Sequence, residues 1–99
     1  MTSEQPEAHT PVLPGVELEL ARLEFEPQVD AGEFGAHQPG WTEYVVVETG
    51  TLEIVLDGSD VHVLNSGDAL YYASDLTHAF RNAGDAPLVA YILMINYSA

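Results

Sequence analysis

The sequence predicts an all-β domain, a sandwich or barrel, and three observations carry that expectation. Short apolar stretches alternate with polar residues at a period of two. Turn residues punctuate them at close intervals. No segment shows a persuasive 3.6-residue period or an internal repeat. Regular short strands joined by turns favour a closed or two-layered β architecture.

Residues 1–15 carry three prolines and little apolar content, and read as a flexible N-terminal arm; the domain is expected over residues 16–99. VELELARLEFE opens it. Val16, Leu18 and Leu20 alternate with Glu17 and Glu19, and the alternation slips near Ala21, which predicts a bulge or bend there. Residues 28–40, QVDAGEFGAHQPG, read as a glycine-rich connection. EYVVVE is a strand ending at the turn Thr49-Gly50, and LEIVL is another with Leu52, Ile54 and Leu56 on one face. Asp57-Gly58 signals a hairpin into VHVL. Asn65 to Asp68 form a turn, ALYYA a short strand and SDLT a turn. HAFRN alternates His78, Phe80 and Asn82 against Ala79 and Arg81. After AGDAP, LVAYILMINY closes the count at seven or eight strands. This last strand is apolar on both faces, so one face should line the core and the other meet a second sheet or a partner subunit; a homodimer is expected on that ground.

Ninety-nine residues make one domain with a core that needs no disulfide, and there is no cysteine. Thiolate metal sites and cysteine nucleophiles are thereby excluded. No apolar run is long enough for a membrane-spanning helix, and the N-terminus lacks the basic and apolar regions of a secretory signal, so a cytoplasmic protein is expected. Sixteen carboxylate side chains face two cations, Arg22 and Arg81, for a net charge of -14. Such a chain repels phosphate backbones and anionic lipid, so neither nucleic acid nor membrane is an expected partner.

Two segments concentrate the chemistry. HQPGWTEYVVVETG places His37, Glu43 and Gly50 at fixed offsets; GDALYYASDLTHAFRN does so for Gly67, Asp68, His78 and Asn82. These spacings resemble the two motifs of the cupin superfamily, G-(x)5-H-x-H-(x)3,4-E-(x)6-G and G-(x)5-P-x-G-(x)2-H-(x)3-N. Glu43 and Gly50 keep the six-residue gap, His37 takes the first histidine position, and Gly67, His78 and Asn82 match the second motif at every interval. The resemblance spans about residues 16–97 and implies a cupin-type double-stranded jelly-roll β-barrel. It extends to the ligand-sensing cupin domain of some bacterial helix-turn-helix regulators. The departures include Pro39 at the second histidine, Ala73 at the motif proline and Asp75 at the motif glycine.

Cupin metal sites typically use three histidines and a glutamate; here the matched positions offer His37, Glu43 and His78. Two imidazoles and one carboxylate with open positions form the inventory of a facial-triad site, which does not choose among Fe, Mn, Ni and Zn. His37 and Glu43 share parity along an extended segment and are expected to turn inward together. Trp41, Tyr72, Phe80 and Asn82 are the expected pocket residues, while Asn82 also suits a turn-bonding role, Asp68 a turn cap, His62 the sheet surface and Arg81 an outer ion pair. Three functions follow. One is a metal-dependent enzyme, with oxidation of a small polar metabolite by oxygen first and isomerisation or decarboxylation after it. The second is a metal-free or metal-assisted module that senses or stores a small molecule. The third is a structural dimer with a vestigial site.

Overall fold

The computed structural model describes residues 16–34 and 40–97. The N-terminal arm, His37 and Pro39 lie outside the described residues. Eight strands follow one another: β1 (Val16–Phe25), β2 (Asp30–Phe34), β3 (Trp41–Thr49), β4 (Leu52–Leu56), β5 (Asp60–Leu64), β6 (Ala69–Ala73), β7 (His78–Asn82) and β8 (Leu88–Tyr97). They form two four-stranded sheets, β1-β8-β3-β6 and β2-β7-β4-β5, and every pairing is antiparallel. The all-β jelly-roll expectation holds.

The alternation read from the sequence is what places the core. Val45 and Val47 of β3, Leu52, Ile54 and Leu56 of β4, Leu64, Tyr72, Phe80, Leu88 and Ala90 are buried between the sheets, with Leu23, Phe25, Leu70 and Ile92 packed against them. Their neighbours of opposite parity stay out: Tyr44, Val46 and Tyr71 are exposed. Asp57 and Gly58 both adopt positive φ at the β4–β5 hairpin, as the Asp-Gly pair predicts.

Two expectations are corrected. β1 has no bulge at Ala21; its register with β8 runs unbroken from Val16↔Tyr97 to Phe25↔Leu88. The slip in its pattern marks a change in which face is covered. Val16 and Leu18 are half-buried on one face, Leu23 and Phe25 on the other, and Leu20 is exposed. The irregularities fall instead between Asp30 and Gly32 in β2 and between Val47 and Thr49 in β3. Secondly, the connection expected over residues 28–40 contains β2. Its polar composition hides the strand, and Gly32 at φ 81 serves the register shift against β7.

β1 and β8 also explain the outer surface of their sheet. Register places Leu20, Leu93, Tyr44 and Tyr71 in one cross-strand row, and Arg22, Tyr91, Val46 and Ala69 in the next. Apart from Arg22 and its ion-pair partner Glu24 on β1, this face is apolar, and it opposes the core side of the same strands.

Candidate functional site

One end of the sandwich gathers the chemistry. β3 begins there at Trp41, β6 ends there at Ala73, and β7 begins there at His78, opposite Leu56 of β4 and Phe34 of β2. Glu43 and Tyr72 are direct partners across β3 and β6, and both face inward. His78 faces them from the opposite sheet.

Glu43, Tyr72 and His78 are all buried. The Tyr72 hydroxyl donates to Glu43 Oε1 at 2.7 Å. His78 Nε2 lies 3.5 Å from Glu43 Oε2, which links the two sheets through one carboxylate. His78 Nδ1 lies 3.0 Å from the Leu76 carbonyl oxygen. A carbonyl only accepts, so Nδ1 carries the hydrogen and Nε2 is the atom turned to Glu43. The His78 ring is flanked by Tyr72 and Phe80, with centroids 5.6 and 5.8 Å away.

Burial first, then the hydrogen bond to Glu43 and its nearby charge, push the Tyr72 phenol well above the ordinary tyrosine value. The unfolded phenol ionises near pH ~10, whereas the folded one keeps its proton beyond that. The raised value therefore contributes stability that is complete below pH ~10 and is lost as pH rises through the folded value. Wild-type protein is expected to lose stability above pH ~10 more steeply than Tyr72→Phe, read by urea unfolding at successive pH values. Parallel curves would show that the phenol is not coupled to the fold.

The remaining predicted residues separate. Trp41 is half-buried on the inward side at this end. Phe80 is a core residue beneath His78. Asn82 lies at the other end of β7, and its side chain is engaged with backbone: Nδ2 contacts the carbonyls of Phe25, Glu26 and Ala86, and Oδ1 accepts from Gly84 N. It ties a corner of the fold, as the turn-bonding expectation has it. Asp68 caps its turn by accepting from Asn65 N, Arg81 donates to Glu53 on the outside, and His62 contacts Asp60. Two features escaped the sequence reading. The Tyr72–Glu43 bond was legible in principle, because Tyr72 has the inward parity in ALYYA. Ser74 was not: its hydroxyl is fully buried and has no hydrogen-bond partner among the described residues.

Glu43 and His78 are two of the three donors that the motif resemblance implies. Among the described residues no group of three His, Cys, Asp or Glu side chains could hold a metal ion. These residues alone do not fit a three-donor site.

The model of the Cupin domain matches residues 21–96. This chain belongs to the cupin domain family. The solved Cupin_2 domain of an XRE family transcriptional regulator from Enterobacter cloacae is similar to this cupin at a TM-score of 0.73 and 27% identity, covering 91% of this chain and 95% of that one. A Cupin 2 conserved barrel domain protein from Salinispora arenicola is similar at a TM-score of 0.69 and 26% identity, over 91% and 71% of the two chains. The HTH-type transcriptional regulator SutR of Escherichia coli is 41% identical over 64 residues, 62% of this chain. The chain spans 35% of the length of that curated relative. Among the described residues no helix is long and apolar enough to cross a membrane.

Proposed function

We propose that this cupin binds a small polar molecule as a ligand-sensing module, with Glu43, Tyr72 and His78 as its recognition centre. The observation that carries this reading is the buried carboxylate itself. A glutamate 2% exposed, bonded to a tyrosine and facing a histidine from the other sheet, is an expensive arrangement in a core otherwise made of Val, Leu, Ile and Phe. A purely structural role would be served as well by apolar residues of similar volume. The names of two relatives, both transcriptional regulators, agree with sensing. The net charge of -14 opposes direct contact with phosphate backbones, so the domain's own role is on the ligand side. A cytoplasmic setting follows from the same regulatory reading.

A metal ion is the second reading, and one observation favours it. The Leu76 carbonyl fixes the His78 tautomer and turns Nε2 toward Glu43, as outer-shell carbonyls do for ligating histidines. His37, three residues beyond the strand partner of His78, would be the third donor. A bound ion would supply Lewis-acid or redox chemistry and make a metal-dependent enzyme, such as an oxygenase; Glu43 and His78 would hold it.

One experiment tests both. Thermal unfolding of the purified chain is followed with a panel of small metabolites, alongside elemental analysis. A binding metabolite raises the midpoint, and Glu43→Gln removes at least ~90% of that rise, since a ligand stabilises only the state it binds. Stoichiometric metal lost in both His37→Ala and His78→Ala would establish the second reading. No midpoint shift and no metal would end both. The outward apolar rows Leu20-Leu93-Tyr44-Tyr71 and Tyr91-Val46-Ala69 support pairing of two copies through this sheet, a homodimer that sedimentation of the same preparation would reveal.

A further inference from the structure

We infer that the ligand taken at this end of the barrel is a small organic ammonium carrying a hydroxyl, its ammonium at Glu43 and its hydroxyl at Ser74. The inference rests on the small-molecule reading above and names its chemistry.

Ser74 N donates to Trp41 O at 3.0 Å, one step beyond the Thr42↔Ala73 pair. Ser74 and Trp41 are therefore neighbours across β6 and β3, just as Tyr72 and Glu43 are. Tyr72 and Ser74 are both buried while Tyr71, Ala73 and Asp75 are exposed, so the parity that turns Tyr72 inward also turns Ser74 inward. The result is a patch of two adjacent rows: Glu43 with Tyr72, then Trp41 with Ser74. A two-residue step along a strand is about 7 Å. That suits an ammonium and a hydroxyl two or three carbons apart, each making a hydrogen bond.

The Ser74 hydroxyl is the group that needs explaining. It is 0% exposed and unpartnered among the described residues. Buried polar groups are almost always paired, and an exception asks for a reason. A ligand hydroxyl provides one.

Charge selects the other end of the ligand. The chain has two cations, Arg22 and Arg81, and both lie outside, with side chains 51% and 46% exposed and paired to Glu24 and Glu53. No lysine or arginine reaches the interior to meet a carboxylate or phosphate. Glu43 is the buried acid there, and the net charge of -14 draws cations toward the whole molecule. Trp41, the single tryptophan, is half-buried beside the patch.

The same residue reports the test. Trp41 fluorescence of the full chain is titrated with ethanolamine, with ethylamine lacking the hydroxyl, with neutral ethylene glycol and with anionic glycolate. Ethanolamine should give a saturable change, and ethylene glycol and glycolate should bind at least about tenfold more weakly. Ser74→Ala should weaken ethanolamine about tenfold, the loss of roughly one buried hydrogen bond, and leave ethylamine unchanged. Its melting temperature without ligand should not fall, because the substitution removes an unpaired hydroxyl; this separates a ligand contact from a structural one. Glycolate binding as tightly as ethanolamine would overturn the inference, as would an unchanged ethanolamine affinity in Ser74→Ala or silence of Trp41 to all four probes. In each of these cases the Glu43 centre still stands or falls by the metabolite panel and Glu43→Gln.

Discussion

Replacing Asn82 by alanine is expected to destabilise the domain by about 3 kcal/mol, since several buried backbone groups lose their partner at once and each costs roughly 1–3 kcal/mol when left unmade. The amide joins the β1–β2 connection, through Phe25 and Glu26, to the β7–β8 turn, through Gly84 and Ala86. These segments are more than fifty residues apart in sequence, and both bond to one fully buried side chain, with Gln28 Nε2 adding an exposed bond to the Gly84 carbonyl. For a domain of this size the thermal midpoint should fall by about 12 °C or more. Asn82→Asp separates the explanations. It keeps an oxygen for Gly84 N but sets a second oxygen against the carbonyls of Phe25, Glu26 and Ala86. It should be at least as damaging as alanine in urea unfolding. A midpoint within about 2 °C of wild type for Asn82→Ala would remove the claim that this amide holds the corner.

Gly50→Ala is expected to be comparably severe, again about 3 kcal/mol, combining a left-handed backbone with overpacking. Gly50 sits at φ 93 between β3 and β4. A Cβ there would lie 2.8 Å from the Pro87 carbonyl oxygen and 2.9 Å from Leu88 Cα. Both obstacles are backbone, and Leu88 is itself fully buried, so neither can swing away as a long side chain would. Gly58 and Gly67 are the controls. They have similar φ, 82 and 89, but nothing within 4 Å of an added Cβ. Their alanine variants should lose only the conformational part, about 1–2 kcal/mol. Equal losses at all three positions would mean that the close approach to Pro87 and Leu88 is immaterial.

Much of the fold was legible because period-two alternation survives wherever one face of a strand is buried. EYVVVE, LEIVL and HAFRN each turned the expected side inward. β2 was not legible, because DAGEF has no apolar alternation and its strand character comes from pairing with β7. β1 misled in another way: both of its faces carry apolar residues, at different ends, and sequence cannot tell an uncovered Leu20 from a register shift. At the site, spacing brought Glu43 and His78 into view as residues that face inward at one end of the barrel. His37 lies outside the described residues, so its place with them is an expectation carried by motif spacing. Ser74 was invisible since a serine in SDLT reads as a turn former, and only burial distinguishes it from one.

The position of β8 sets the order in which the molecule can assemble. It is the strand inserted between β1 and β3, and among the described residues β1 has no other sheet partner. The first strand must therefore wait through synthesis of everything up to Tyr97, with a large loop-closure entropy to overcome before its ladder is rewarded. The β4–β5 hairpin can form early and locally, while the sheet that carries Glu43 and Tyr72 is completed late. Folding should accordingly be slow for a chain of this length, and any shortening that removes β8 should leave β1 without a sheet at all.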